Sequence, residues 1–431
     1  MNFQKQLAQS FIWRGLYFVT VLVMSIFFSR YFEAGNAGWI FYLCNNFSII
    51  LILAGLTIEN AITYYSSQKT INDDSLAWFS LVWSIIVSFI IFTGLWLYLQ
   101  TSTGSPFITN DQYLFYAVCY IAGLQLTNIF TVLFYANKDF FLPNLLMVLL
   151  NIGVIILIPK QVGTMNTNVS LVINLYFAYF VISGLALAVA FIYTRKSWKN
   201  VSFPSFNNIR LIIKYALMAL AANVIFFLVY RVDYWFVERY CTPEELGNYI
   251  QLSKLGQMLL VIPSIISSVV FPHTAAGMQR TEIRENILRI GRVTSLLYII
   301  LFVLILLLGD WMFPMVFGRT YQLMYLPFLV LLPGIWALSN LYILSAYYGG
   351  VNKVKINVQG AFIALIVILT GDILLIPKGG IIAAAMVSTL GYLVNFLYSF
   401  LMLKNEQTVS IFQYFNINKD DIRWLRSFIQ H

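Results

Sequence analysis

The sequence predicts an all-α membrane protein with twelve transmembrane helices, arranged as two six-helix lobes related by a pseudo-two-fold axis along the membrane normal. Three observations predict it. Of 431 residues, 60% are hydrophobic and only 10% are Asp, Glu, Lys or Arg, too few charges to cover a soluble surface. Apolar runs of about 20 residues, the length that crosses a bilayer, recur from end to end. Short stretches of the first half return in the same order in the second. The alternating segments of a membrane β-barrel are absent.

Gly, Pro, Asn and charged residues punctuate the apolar runs. They place helices at 8–31, 37–65, 76–100, 111–136, 141–158 and 168–194, then at 211–239, 247–272, 286–308, 322–349, 356–376 and 380–403. The lobes follow as residues 1–200 and 201–403, with a cytoplasmic or interfacial tail at 404–431. The first run is long enough to span, so it reads as a helix rather than a cleaved leader. Lys and Arg remain on the cytoplasmic side of a membrane. With the N-terminus inside, inner segments hold 16 of the 26 basic residues and outer segments hold 5, which puts both termini in the cytoplasm. In the tail, Ile422, Leu425 and Phe428 accompany Trp424, Lys419, Arg423 and Arg426, a pattern that fits an interfacial helix or a disordered end.

The repeat is visible in Ser29-Arg30-Tyr31-Phe32 against Glu238-Arg239-Tyr240-Cys241, an offset of 209 that also superposes Gly38 on Gly247. Further on, Ile152-Gly153-Val154 through Pro159-Lys160 matches Thr370-Gly371-Asp372 through Pro377-Lys378. Six helices per copy is an even number, so both copies enter from the same side as a parallel repeat. Transporters use this arrangement around a site near the midplane.

These residues carry a resemblance. Gly247-Asn248-Tyr249 opens the eighth span and Val270-Phe271-Pro272 closes it; Val316-Phe317-Gly318, Leu332-Pro333-Gly334 and Gly379-Gly380-Ile381-Ile382-Ala383-Ala384-Ala385 follow in order. Over nearly its whole length the chain resembles the multidrug/oligosaccharidyl-lipid/polysaccharide (MOP) flippase superfamily, and within it the O-antigen-type polysaccharide flippases. The resemblance implies a multi-pass protein of the cytoplasmic (inner) cell membrane, whose lobes open alternately to either side around a polyprenyl-pyrophosphate oligosaccharide. It also implies membrane lipid and polysaccharide assembly proteins as partners. The same superfamily contains drug and cation antiporters, so the fold alone leaves the substrate open.

Charges within spans are the best site candidates, because each costs about 2.5–3.5 kcal/mol at the bilayer centre and must face a cavity or a partner. Arg14 lies about 9 Å into the first span at 1.5 Å per residue. A guanidinium there suits an entering pyrophosphate, to which it donates paired hydrogen bonds, and snorkelling to the interface is the alternative. Arg231, Asp233 and Lys254 lie in the seventh and eighth spans, and the turn between them brings Asp233 level with Lys254. That pair is either structural or leaves Asp233 free for an ion. Arg231 points elsewhere and is the better anion-facing group. Glu59 on the second span completes the substrate candidates.

Asp372, Asp233 and Ser388 reach similar depths, about 6, 10 and 12 Å from the outer ends at 1.5 Å per residue. Hard oxygen ligands of this kind suit sodium, or the acids can exchange protons. Some flippases resembling this chain place a sodium site on the seventh, eleventh and twelfth helices. The resemblance carries that site to Asp233, Asp372 and Ser388 or Thr389, but Ile368 stands where a further polar ligand is expected.

Other functions are disfavoured. The 26 basic residues are dispersed, which does not suit nucleic acid. Cys44, Cys119 and Cys241 have no metal or disulfide spacing and read as small apolar residues, and His273 alone builds no metal centre. No phosphate-cradling loop supports ATP hydrolysis, and no cofactor is expected beyond a coupling sodium ion or proton. An antiporter of the same superfamily would have an acidic or apolar cavity, against Arg14, Arg231 and Lys254. A membrane polymerase or ligase would require acid/base groups on a sizeable outer loop, and the outer connections are short and lack His. The chain is therefore expected not to be an enzyme.

Overall fold

A computed structural model of the chain describes residues 3–101, 109–162, 169–199, 201–275, 280–406, 409–415 and 421. The described residues are mostly helical and contain no strand. The helices are α1 (Phe3–Gly55), α2 (Ile58–Ser67), α3 (Asp73–Thr101), α4 (Asn110–Ala136), α5 (Phe141–Val162), α6 (Val169–Thr194), α7 (Phe206–Arg231), α8 (Asp233–Tyr240), α9 (Pro243–Leu259), α10 (Val261–Ala275), α11 (Arg280–Phe317), α12 (Tyr325–Gly350) and α13 (Val354–Glu406). Among the described residues, eight helical stretches are long and apolar enough to cross a membrane. Their outer faces are hydrocarbon: α3 alone exposes Ile85, Phe89, Ile90 and Leu97, a surface that water would not tolerate. The protein is an all-helical, multi-pass membrane protein.

The two longest helices are each broken where the sequence ends one span and starts the next. In α1 the break is Glu33, at φ 59 and ψ 175. A side chain rarely adopts that conformation, at a cost of about 1–3 kcal/mol, and surrounding bonds must hold it. Here Ala34 N–H donates to Thr320 Oγ1 at 3.0 Å. In α13 the break is Gly380, at φ 56 and ψ −144, a region open to glycine alone. The span expected at 37–65 differs: α1 ends at Gly55, Leu56 and Thr57 turn left-handed, and α2 resumes at Ile58. Side chains satisfy the freed backbone, as Trp83 Nε1 donates to Gly55 O at 3.3 Å and Asn60 Nδ2 to Thr57 O at 3.3 Å. The span expected at 247–272 is likewise divided, at Leu260 between α9 and α10, three residues before Pro263 withholds its N–H.

The chain divides into two compact units. One contains Met1–Phe27 and Leu43–Val224, and the other Phe28–Tyr42 and Ile225–His431. The first unit is centred on Ile58, Ile62, Leu76, Phe130, Phe134 and Phe191. A core of the second collects Leu344, Tyr347, Tyr348, Phe396, Phe400 and Leu403. Most of the tail expected to be interfacial lies outside the described residues; what is described is the end of α13 to Glu406, residues 409–415 with a single turn at Ile411–Tyr414, and Asp421.

Several motif residues have structural roles in the second unit. Gly38 and Gly247, equivalent in the two repeats, touch: a Cβ on Gly38 would lie 2.5 Å from Gly247 Cα, and one on Gly247 would lie 1.8 Å from Ala34 O. Small residues permit such backbone approach between membrane helices. Asn248 Nδ2 bonds Glu244 O at 2.8 Å and Thr320 O at 2.9 Å. Gly318 turns at φ +111 after α11, and Arg30 covers the carbonyls left at that helix end, donating from Nε to Val316 O at 2.7 Å and from Nη2 to Met315 O. Gly334 lies against Thr389, leaving no room for a Cβ.

Gly247→Ala is expected to destabilise the detergent-purified protein by about 1–3 kcal/mol through overpacking, lowering its thermal midpoint. Gly153→Ala, whose Cβ meets nothing within 4 Å, should leave the midpoint unchanged or raise it.

Candidate functional site

In the second unit, α8, α9 and α13 bring a cluster of polar side chains into an otherwise apolar interior. Val232 has helical angles, φ −65 and ψ −33, so α7 and α8 form one span with Asp233 inside it. A capping box starts α9, in which Thr242 Oγ1 accepts from Glu245 N–H and Glu245 accepts from Thr242 N–H, with Pro243 at the first helical position. That start sets the register of Tyr249, Lys254 and Gln257. Asp372 and Ser388 belong to the two arms of α13 on either side of Gly380.

Asp233 is buried. Its Oδ2 accepts from Tyr249 Oη at 2.5 Å and Ser388 Oγ at 2.9 Å, while Oδ1 has no hydrogen-bond partner among the described residues. Tyr249 Oη and Ser388 Oγ are themselves 3.3 Å apart. Asp372 is 0% exposed, and neither of its oxygens is hydrogen-bonded among the described residues. A void of about 10 Å³ touches Tyr249, Ser388, Tyr230, Gln257 and Tyr392, the space of a single water molecule. An unpaired carboxylate in such surroundings is costly unless a proton or cation neutralises it. The arrangement suits exchange of one small cation or proton.

The remaining candidates are placed as follows. Among the described residues no ion pair joins Asp233 to Lys254; Tyr249 supplies the bond instead, and the Lys254 ammonium lies 2.9 Å from the centroid of Phe41. Arg231 donates from Nη2 to Gln257 Oε1 at 3.3 Å and lies 5.9 Å from the Phe227 ring. Thr389 is committed to the backbone, donating to Val330 O at 2.7 Å. Arg14 belongs to the first unit, half-buried, 5.8 Å from the Tyr135 ring. Glu59, also in the first unit, is half-buried in the first turn of α2, directly after the left-handed break. The side chain of His273 lies outside those described. Sequence reasoning took Tyr249 only as part of a motif and did not single out Gln257. The signal available was their sharing of α9 with Lys254.

With this geometry in view, residues 38–325 match the family model described as polysaccharide biosynthesis protein. The chain belongs to this family. Over 236 residues this polysaccharide biosynthesis protein is 22% identical to a probable low-salt glycan biosynthesis flippase, Agl15, of Haloferax volcanii. That match covers 52% of the chain and 50% of Agl15, so the chain spans about half the length of the curated relative it matches. It is also similar to solved structures. The lipid II flippase MurJ in an inward closed conformation matches with a TM-score of 0.70 and 14% identity, covering 98% of this chain and 92% of MurJ. A multidrug resistance MATE family transporter of the MOP superfamily in an inward-facing conformation matches at 0.67 and 15%, covering 90% and 94%. The MATE transporter VcmN of Vibrio cholerae, in its bent form, matches at 0.61 and 15%, covering 96% and 98%. These likenesses show the fold, which the chain shares with MurJ and the MATE transporters.

Tyr249→Phe removes one of the two hydrogen bonds to a buried carboxylate and is expected to cost about 1–3 kcal/mol of stability. Ser388→Ala should cost a similar amount, and the double variant should be non-additive because both hydroxyls serve Oδ2. Thermal unfolding of the four proteins in detergent measures the coupling.

Proposed function

We propose that the chain is a flippase translocating polyprenyl-pyrophosphate-linked oligosaccharide repeat units across the cytoplasmic membrane by alternating access. One observation carries the reading: the Arg231 guanidinium sits within a membrane span, held by the neutral amide of Gln257 and the face of Phe227, with no ion pair among the described residues. An intramembrane cation retained in this way suits a phosphate-bearing headgroup, to which Arg donates paired hydrogen bonds. Arg14, Lys254 and Glu59 complete the substrate set on this reading. Family membership and the likeness to Agl15 and MurJ support a lipid-linked glycan as cargo.

The twelve passages follow from dividing α1 at Glu33 and α13 at Gly380, and from counting α5 and the joined α9 and α10 as one passage each. Six helices form each lobe, near 1–200 and 201–403, with both termini cytoplasmic. The contact between the repeat-equivalent Gly38 and Gly247 supports a pseudo-two-fold relation. Rocking of the lobes moves the sugar head through water while the polyprenyl tail remains in lipid, and no covalent step is needed. Asp233, Asp372 and Ser388 form the coupling site for sodium or a proton.

Removing the chain from its cell is expected to trap lipid-linked repeats on the cytoplasmic leaflet. Wild-type protein should clear them, Arg231→Gln should clear them at least about tenfold more slowly, and Arg231→Lys should fall between, because an ammonium keeps the charge but loses the planar fork. Full clearance by Arg231→Gln would contradict the substrate assignment. Separately, vesicles carrying Asp372→Asn should lose their response to an imposed sodium or proton gradient, and an unchanged response would remove Asp372 from the coupling site.

A further inference from the structure

At the arginine-bearing end of α11 a second anion site is built outside the Asp233 cluster, and the chain's own tail fills it. Asp421 is 2% exposed and meets two guanidinium groups. Arg292 grips it with both arms, Nε to Oδ2 at 2.6 Å and Nη2 to Oδ1 at 2.8 Å. Arg289, one turn earlier, brings its Nε to 3.5 Å from Oδ1. The side chains of Arg292 and Arg289 are 13% and 29% exposed. Among the described residues two guanidinium groups face this one carboxylate, and the buried Arg289 Nε makes no hydrogen bond.

An apolar groove begins directly beside this pair. Ser295 lies one turn beyond Arg292, and Tyr298, Ile299 and Phe302 continue along α11, with Leu332 and Trp336 of α12 opposite. The groove holds about 320 Å³, within the range of roughly 300–1,000 Å³ typical of ligand pockets. Its polar groups are already satisfied: Trp336 Nε1 donates to Ser295 Oγ at 2.9 Å, and Ser339 Oγ donates to Tyr298 Oη at 2.6 Å. Ile299 and Phe302 are exposed inside the span Glu285–Phe317, so the groove opens to the hydrocarbon of the bilayer. The tail reaches it too. Phe415 stacks on Trp336, with ring centroids 5.4 Å apart and planes 28° from parallel.

The tail thus presents a carboxylate to an arginine pair and a hydrophobic ring to the adjoining groove. A phosphate-bearing lipid has the same two parts in the same order: an anion that suits the bidentate arginine fork and a chain that belongs in the apolar slot. We propose that this groove and Arg289–Arg292 form a binding site for an anionic, phosphate-bearing diacyl lipid of the bilayer, with Phe415 as part of the groove wall and Asp421 as an intramolecular plug on the arginine pair that the lipid displaces. Because the plug is tethered, it lowers apparent lipid affinity by the fraction of time it occupies the site. The site does not depend on what the protein transports.

The test uses the full chain in phosphatidylcholine nanodiscs containing a trace of phosphatidic acid with a diazirine on its acyl chain, and maps the photolabel by peptide mass spectrometry. The label should fall on the peptides bearing Ile299, Phe302 and Leu332 to Trp336. Asp421→Asn, which keeps both arginines and removes the competing charge, should raise labelling at least about threefold. Arg289→Gln, which leaves the Arg292–Asp421 pair intact, should lower it. Labelling that responds to neither variant would overturn the proposal. So would equal labelling by a diazirine phosphatidylcholine, which would reveal a merely apolar crevice. Displacement of the label by a polyprenyl monophosphate at lower concentration than by unlabelled phosphatidic acid would assign the groove to a carrier lipid and overturn the bilayer-lipid occupant.

Discussion

The cost of placing charge where water is excluded governs this protein. Its helices are apolar enough that hydrocarbon surrounds them, and each ionised group within a span must be matched by geometry or neutralised. Among the described residues Asp233 is only half satisfied, by two hydroxyls on one oxygen, and Asp372 lacks even those. Arg231 is accommodated by an amide and an aromatic face. Elsewhere in the second unit Arg292 and Asp421 form a bidentate pair, while the Arg289 Nε beside it makes no hydrogen bond among the described residues. In each place a group is left with capacity for something that comes and goes.

The helical class was legible because the bilayer imposes a length on apolar runs. Where two spans join, the turn chemistry was legible at Gly380 but less so at Glu33, which adopts a glycine-like conformation because the backbone beside it is tied to Thr320. The break at Leu56 and Thr57 was not legible. Hydropathy continues straight through it, and the side chains that satisfy the broken turn come from α3 and α2. A helix interrupted at membrane depth survives only where neighbours re-satisfy its backbone, and that is tertiary information.

Much the same holds for the site. The intramembrane charges announced themselves because they are rare in such a chain, and depth counting placed Asp233 and Ser388 at matching levels, where they bond. The same counting set Lys254 opposite Asp233, yet Tyr249 takes that place while Lys254 lies over Phe41. Depth along a helix specifies height but not azimuth, and azimuth decided the partner. Motif glycines such as Gly38, Gly247 and Gly334 mark close backbone approach, and Gly318 a left-handed turn, so in these residues the family pattern records packing.

The central claim is movement of a lipid-linked sugar between leaflets, and leaflet accessibility measures it most directly. Purified chain is reconstituted in sealed vesicles with polyprenyl-pyrophosphate oligosaccharide, and an impermeant glycosidase added outside reports the exposed fraction over time. The account predicts that the fraction cleaved rises beyond the initially exposed leaflet with wild-type protein and rises at least about tenfold more slowly with Arg231→Gln. Equal protection of the inner pool in wild-type and protein-free vesicles, with correctly folded protein present, would contradict it.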